Sequence, residues 1–344
     1  MTKESSGIAV TGAETARDVR WGLMATGRIA ALMAESARPG RFVAVASRSA
    51  DRSRTFADKY GITRSYGSYQ ALLDDPDVDA VYIALPVAQH SEWTVKALRA
   101  GKHALCEKPL AVDAGEVAAD FDAADAADRL CVEGLMWRWH PQTRLARKLV
   151  ADGAIGTLRS VRAALTVPIP QDDIRRSREL GGGALGDLGC YCVGAIRLFA
   201  GQPEQIYALG FQDGADVEMR VSATARHPGG VLSQFDIGFD MSRRDQIELI
   251  GTDGHIRIDD PWICGDGGVE LVSAGDRRVL AIDPEAVFAL TATEADVYRI
   301  EIETVSEAIA GTSELEFGRL DATDQMAAID AVRKSIEAGI PVML

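Results

Sequence analysis

The stretch Val19-Arg20-Trp21-Gly22-Leu23-Met24-Ala25-Thr26-Gly27-Arg28-Ile29-Ala30 decides the fold. Val19–Met24 reads as a strand, Ala25–Gly27 as a turn of small residues, and Arg28–Ala37 as a helix by its apolar spacing. The pattern repeats downstream. Phe42–Ala46, Ala80–Leu85, His103–Cys106 and Leu130–Glu133 read as strands; Asp51–Tyr60, Tyr69–Leu73, Trp93–Arg99 and Ala114–Ala127 read as helices. Such alternation predicts an α/β domain over 19–140, a doubly wound parallel sheet of the Rossmann type.

After a connecting helix at Arg144–Ala151, stopped by Asp152-Gly153, the periodicity changes. Leu158–Val167, Gln205–Phe211, Val217–Ala225, Gly230–Phe239, Gln246–Ile250 and His255–Ile258 alternate apolar with polar residues, and Gly251-Thr252-Asp253-Gly254 reads as a hairpin loop. Helices over Asp296–Ala310 and Leu320–Glu337 complete an α+β domain, 141–344, with an open, mostly antiparallel sheet. Two helices cannot cover both faces of such a sheet, so a homodimer or homotetramer is expected. Residues 1–18 are polar, lack the apolar core of a signal peptide and read as a flexible tail.

The net charge of −14 argues against nucleic acid and anionic membrane as partners, since both demand basic surface. No run of about 18 apolar residues suggests a membrane span, and five cysteines without a C-x-x-C fit free thiols in a reducing cytoplasm. The five histidines show no H-E-x-x-H spacing, so no metal is expected.

The turn Thr26-Gly27-Arg28-Ile29 stands where a dinucleotide fingerprint belongs. Gly27 keeps the middle glycine, which lets a pyrophosphate approach a helix N-terminus, while Ala25 and Ala30 replace the outer two. At the end of the next strand an NAD enzyme would carry a carboxylate for the ribose. Here Ser47-Arg48-Ser49 offers a guanidinium and two hydroxyls to a 2′-phosphate, with Arg52 as a second cation, which favours NADP. Ser49 also suits a helix N-cap. The loop Leu85-Pro86, ending at His90, would line the same crevice, although His90 could equally cap its own helix.

Glu107-Lys108-Pro109 places an ammonium at a strand end, the edge where open α/β sheets bind ligands. Desolvated beside a cationic nicotinamide, Lys108 could exchange protons near neutral pH; the proline invites a cis bond. In the second domain Gly181-Gly182-Gly183 leads into a predicted helix on which Asp187 and Tyr191, four apart, share a face. Tyr191 and Lys108 converging on one carbinol could pass its proton, with Asp187 orienting the hydroxyl. Core packing of Tyr191 is the competing account.

These segments, with Gly101-Lys102-His103, Met136-Trp137-Arg138-Trp139-His140-Pro141 and Gly153-Ala154-Ile155-Gly156, resemble the Gfo/Idh/MocA oxidoreductases from Val19 to the C-terminus. The resemblance implies a Rossmann domain, a C-terminal open-faced sheet used for oligomerisation, and hydride transfer between nicotinamide and a sugar-like alcohol. Lys108 matches the family's lysine and Asp187 its aspartate; Tyr191 stands where many members carry histidine, as in the dimeric dihydrodiol/D-xylose dehydrogenase group and some keto-sugar reductases. It further implies that Trp137, Arg138 and His140 face the cleft and that Tyr298 approaches the cofactor, core packing being the competing account for Tyr298. Arg175 and Arg176, before the glycine loop, are candidates for substrate contact or a solvated charge run. The function expected is an NADP-dependent oxidoreductase acting on a sugar, polyol or cyclic diol. A nucleotide-linked keto-sugar reductase and a non-catalytic NADP-binding sensor are the alternatives.

Overall fold

Six parallel strands form the first sheet of the computed structural model, in which residues 18–212, 216–265, 268–282 and 297–344 are described. The expected tail therefore lies almost wholly outside the described residues, as does Asp296. The strands are β1 (Trp21–Met24), β2 (Phe42–Ala46), β3 (Arg64–Tyr66), β4 (Ala80–Ile83), β5 (His103–Glu107) and β6 (Cys131–Gly134). Their order is β3-β2-β1-β4-β5-β6, so the chain reverses its direction of winding between β1 and β4 and leaves a crevice at their C-terminal ends. Every residue of β1 and β4 is buried, because helices cover both faces. β3 escapes sequence reading: Arg64-Ser65-Tyr66 has no apolar run, and the strand is fixed by pairing to β2 and by Arg64 against Asp75 at 2.9 Å.

The helices of this layer are α1 (Arg28–Ser36), α2 (Ala50–Tyr60), α3 (Tyr69–Leu73), α4 (His90–Arg99) and α5 (Ala114–Ala127). Side chains set several starts: Ser49 caps α2, Ser68 caps α3, and Asp113 caps α5 by accepting from Glu116 N at 3.0 Å. Gly61 ends α2 at φ 66°, a left-handed conformation that favours glycine. α4 begins three residues before the predicted Trp93, led in by a tight turn over Val87–Gln89.

After α6 (Pro141–Ala151) comes a nine-stranded sheet, order β14-β13-β12-β11-β7-β10-β9-β8-β15. Its strands are β7 (Leu158–Thr166), β8 (Gln205–Phe211), β9 (Arg220–Arg226), β10 (Leu232–Gly238), β11 (Arg244–Gly251), β12 (Gly254–Asp259), β13 (Val269–Ser273), β14 (Asp276–Leu280) and β15 (Val342–Met343). β7 and β10 run parallel and the other neighbours antiparallel, so the sheet is mixed. The hairpin at Thr252-Asp253 pairs Ile250 with His255, as its composition predicts. Val161, Leu165, Phe235, Ile237 and Leu249 point inward, buried beneath α7 (Cys190–Ala200) and α9 (Arg319–Ala338). Arg162, Gln234 and Arg257 point outward and are exposed.

α8 (Val297–Ile309) crosses back to the first layer. Trp21 Nε1 donates to Ser306 Oγ at 2.9 Å, and Arg38 and Arg41 both pair with Glu303. A helix from the far end of the chain thus seals the Rossmann layer, which no boundary drawn at 140 in sequence conveys. The apolar stretch Arg178–Ala200 is long enough to cross a membrane, yet most of it is buried against the second sheet.

Candidate active site

A cavity of about 1590 Å³ lies between the C-terminal ends of the first sheet and the inner face of the second. Thr26, Gly27, Arg28 and Ile29 line one end. No atom stands within 4 Å of where a Gly27 side chain would begin, and α1 opens there with neither a side-chain cap nor an acidic residue in its first turn. Its N–H groups are therefore available to an anion. Ser47, Arg48 and Arg52 line the same end, and Arg28, Arg48 and Arg52 have no carboxylate within ion-pair distance among the described residues, Arg48 being bonded to the Tyr69 hydroxyl. In a chain of charge −14, three such guanidiniums around an open helix terminus make a local anion site. These residues fit a dinucleotide phosphate.

At the cavity's centre, Lys108 follows β5 and is joined to Pro109 by a cis peptide bond. Its Nζ donates to Asp187 Oδ1 at 2.7 Å and to the Asp187 main-chain oxygen at 3.0 Å, and lies 4.9 Å from the centre of the Tyr191 ring. Asp187 is not on α7, as spacing had suggested, but in a wide π-type turn, Leu185–Gly189, that precedes it. Arg175 reaches the other Asp187 oxygen at 3.2 Å while holding Asp173 at 2.7 Å. This convergence depends on the glycine run: Gly183 N donates to Arg175 O at 2.9 Å, and a side chain on Gly182 would collide with that same carbonyl.

The electrostatics revise one expectation. Burial is the largest single influence and disfavours the Lys108 ammonium, but the negative groups around it, Asp187 foremost and Glu107 with it, together outweigh burial and hold its pKa above the ordinary lysine value. Without a cationic ring beside it, Lys108 does not exchange protons near neutral pH. Asp187 is held low despite its burial, by Lys108 and then Arg175. Burial pushes the Tyr191 phenol well up, so it too keeps its proton. The Tyr191 hydroxyl contacts Met136 Sδ at 3.7 Å, a weak acceptor easily exchanged for a substrate oxygen.

Leu85, Pro86, Glu107, His140 and Tyr298 also line the cavity. Glu107 accepts from Tyr82 and from Lys108 N; His140 Nδ1 caps α6 by accepting from Gln142 N at 3.2 Å. Tyr298, in the first turn of α8, is 8% exposed, and burial and then Glu107 raise its pKa. His90 reaches the cavity wall, but both ring nitrogens face backbone carbonyls at 2.8 Å, those of Pro109 and Leu85. It braces the Leu85 loop against the turn after Lys108 and has no nitrogen left for a ligand. Ser49 is spent as the α2 cap and does not line the cavity.

Trp137 and Arg138 do not face the cleft. Trp137 is fully buried and stacks edge-on against Trp262 at 5.6 Å, and Trp262 stacks likewise on Tyr191. Arg138, also buried, pairs with Asp321 at 2.6 Å. Both support the site from behind. Arg176 is bound to the carbonyls of Pro170 and Ile169. Trp262 and Asp173 were missed in the sequence; an aromatic after Asp260-Pro261 and an acid two residues before Arg175 are signals too common to select.

Comparison with known proteins agrees with this geometry. Residues 19–135 match the model of an oxidoreductase family with an NAD-binding Rossmann fold, and residues 143–257 match that of a GFO/IDH/MocA C-terminal domain. The chain is 36% identical over 308 residues to a D-xylose 1-dehydrogenase (NADP(+)) of Haloferax volcanii, covering 88% of this chain and 91% of that one. It is 33% identical over 274 residues to the trans-1,2-dihydrobenzene-1,2-diol dehydrogenase of Bos taurus, covering 77% and 81%. Among solved structures, a 3-ketoreductase from Actinomadura kijaniata in complex with NADP and TDP-benzene superposes with a TM-score of 0.83 at 31% identity, over 93% of this chain and 98% of that one.

Proposed function

The chain belongs to the Gfo/Idh/MocA oxidoreductase family, and from that premise we propose that it moves a hydride between NADP and a hydroxyl or carbonyl of a sugar, polyol or related cyclic diol. The observation that carries this reading is the convergence of Lys108, Asp187 and Tyr191 on one cavity that Arg28, Arg48 and Arg52 also line, none of the three within ion-pair distance of a carboxylate among the described residues. Gly27 and the α1 N-terminus would hold the pyrophosphate; Arg48, Arg52 and Ser47 would hold the 2′-phosphate. When bound, the nicotinamide supplies or accepts the hydride.

The protein's own part is the proton. Tyr191 donates its hydroxyl proton to the substrate oxygen as that oxygen gains negative charge, the Lys108 ammonium stabilises the resulting phenolate, and solvent returns the proton. Asp187, ionised and fixed by Lys108 and Arg175, orients the ammonium and accepts from a neighbouring substrate hydroxyl. Oxidation runs these steps backward. A second reading, a reductase of a nucleotide-linked keto-sugar, is supported by the likeness to the relative solved with TDP-benzene.

The test is direct. Protein incubated with NADP⁺ or NADPH and a panel of aldoses, inositols, cyclic diols and their ketones is followed by nicotinamide absorbance. Turnover of a panel member with Lys108- and Tyr191-dependent kinetics supports the reading, whereas cofactor binding without turnover of any would replace it with a sensor.

A further inference from the structure

Resting on that oxidoreductase reading, we infer that Glu107 and Glu301 form a buried carboxyl pair holding a proton that leaves when NADP⁺ binds and stays when NADPH binds. The inference comes from where α8 meets the first layer. Glu301, one helical turn beyond Tyr298, is fully buried, and neither of its oxygens has a hydrogen-bond partner among the described residues. Its Oε1 lies 3.5 Å from where a Gly134 side chain would begin, and Glu107 Cα lies 3.4 Å from the same point. β5 and β6 pair there with Glu107 opposite Gly134, so the missing side chain is what lets the Glu301 carboxyl come up beside Glu107. Glu107 is 8% exposed and lines the cavity, accepting from the Tyr82 hydroxyl and from Lys108 N at 3.2 Å.

A buried carboxylate needs a cation or hydrogen-bond donors, and one with neither takes up a proton instead. The described groups that face the pair are already engaged. From β4 comes Tyr82, a neutral donor to Glu107; after β5, Lys108 is answered by Asp187 at 2.7 Å; after β6, Arg138 is answered by Asp321 at 2.6 Å and Glu133 at 3.8 Å. On α8 itself Tyr298 is a neutral phenol whose pKa burial and then Glu107 raise, and Arg28, which faces it, would turn to the phosphates. Glu107 accepts two hydrogen bonds, which favour its ionised form; Glu301 accepts none and keeps the proton. Burial, and after it Glu107, holds the Glu301 carboxyl well above the usual carboxylate range.

The charge of the cofactor acts on this balance. With phosphates at Gly27 and Arg48, the adenosine half would lie over the β1–β3 side of the crevice and the nicotinamide half over the β4–β6 side, where Glu107 lines the wall. Facing an oxidised ring, the pair meets a positive charge in a site shielded from water; facing a reduced ring it meets none. The cation favours two carboxylates over one, so the proton passes from the pair to solvent. The step moves one proton and makes or breaks no bond to carbon. When hydride transfer neutralises the ring, the pair takes a proton back from solvent.

Calorimetric titration of the intact protein with NADP⁺ and with NADPH, repeated in buffers of different ionisation enthalpy, counts the protons released on binding. The 2′-phosphate is common to both cofactors and cancels in the difference. NADP⁺ should release roughly 0.5–1 proton more than NADPH at pH 7, and the ratio of the NADP⁺ to the NADPH dissociation constant should fall by up to about tenfold per pH unit as pH rises. Glu301→Gln, which copies the protonated form in shape and hydrogen bonding, should abolish both effects. Equal proton release for the two cofactors in the unmutated protein overturns the carboxyl pair and leaves the oxidoreductase intact. A difference that survives Glu301→Gln overturns it as well, and its loss in Lys108→Met would then assign the proton to the ammonium. Failure of both cofactors to bind overturns this inference and the oxidoreductase reading together.

Discussion

At the scale of single residues the chemistry rests on contacts that substitution can separate. Tyr191→Phe removes a hydroxyl whose one hydrogen-bond partner among the described residues is Met136 Sδ, so the fold should be nearly indifferent while kcat falls about 10²–10⁴-fold. Lys108→Ala should lower kcat within the same range and leave NADPH affinity within about twofold of the original, since the 2′-phosphate and pyrophosphate contacts lie elsewhere. Stopped-flow turnover beside fluorescence titration of NADPH checks both; wild-type kcat in either variant would remove that residue from the mechanism. Under the proposed reading, Arg48 sets the cofactor choice. A guanidinium–phosphate contact contributes on the order of 1.5–3 kcal/mol, so the unmutated protein should prefer NADPH to NADH by roughly 10- to 150-fold, and Arg48→Ala should erase most of this. Arg28 and Arg52, which line the same cavity, leave a residue of preference. Equal dissociation constants for the two cofactors in the unmutated protein would refute the assignment. Lys108, Asp187 and Arg48 were legible in the sequence because motif and strand end coincide. The protonation of Lys108 was not, because it depends on a carboxylate 79 positions away.

At the scale of elements, two places carry costs that can be measured. Ala25 joins β1 to α1 at φ 129°, a region that L side chains rarely adopt and that a glycine at this point of the fingerprint would occupy freely. Ala25→Gly relieves about 1–3 kcal/mol of backbone strain and adds about 0.5–1 kcal/mol of unfolded-state entropy. The expected outcome is a Tm higher by a few degrees with NADPH affinity retained, read by thermal denaturation with and without cofactor. The second place is the α4–α5 interface. Asp120 is fully buried there, accepting from Ser91 Oγ at 2.7 Å with its other oxygen unpartnered among the described residues, and burial raises its pKa to about 7. A carboxyl whose folded pKa lies above its unfolded value makes the folded state bind more protons between the two. The contribution of Asp120 to stability must therefore fall as pH rises from about 4 to about 7 and level off above, by several kcal/mol at most. Asp120→Asn keeps the Ser91 bond and loses the charge, so its urea midpoint should exceed that of the wild type at pH 8 and approach it at pH 5. A wild-type-like pH dependence in the variant would show that Asp120 is not the titrating group.

At the scale of the whole molecule the nine-stranded sheet sets the expectation. Its inner face is covered by α7 and α9, while the outer carries exposed Leu209, Phe211 and Leu232 among charged residues. A second copy of this face is the cover proposed, giving a dimer or tetramer. Light scattering at micromolar concentration should report a multiple of 36.8 kDa, and introducing a charge at Leu209 should shift it toward the monomer. A monomeric wild type would end the proposal. The sequence by itself determined the strand–helix alternation of the Rossmann layer, the place of the dinucleotide turn, the change to period-two strands beyond residue 153 and the identity of Lys108, Asp187 and Tyr191. Each of these is written in local periodicity or in a short motif, and local physics suffices to read it. Only the tertiary structure decided that β7 and β10 run parallel, that α8 returns to seal the first layer, that Trp137 and Arg138 stand behind the site while Trp262 enters it, and that His90 braces two loops rather than meeting a ligand. These depend on contacts between residues far apart in the chain, whose energies appear only when the two domains close around the cavity.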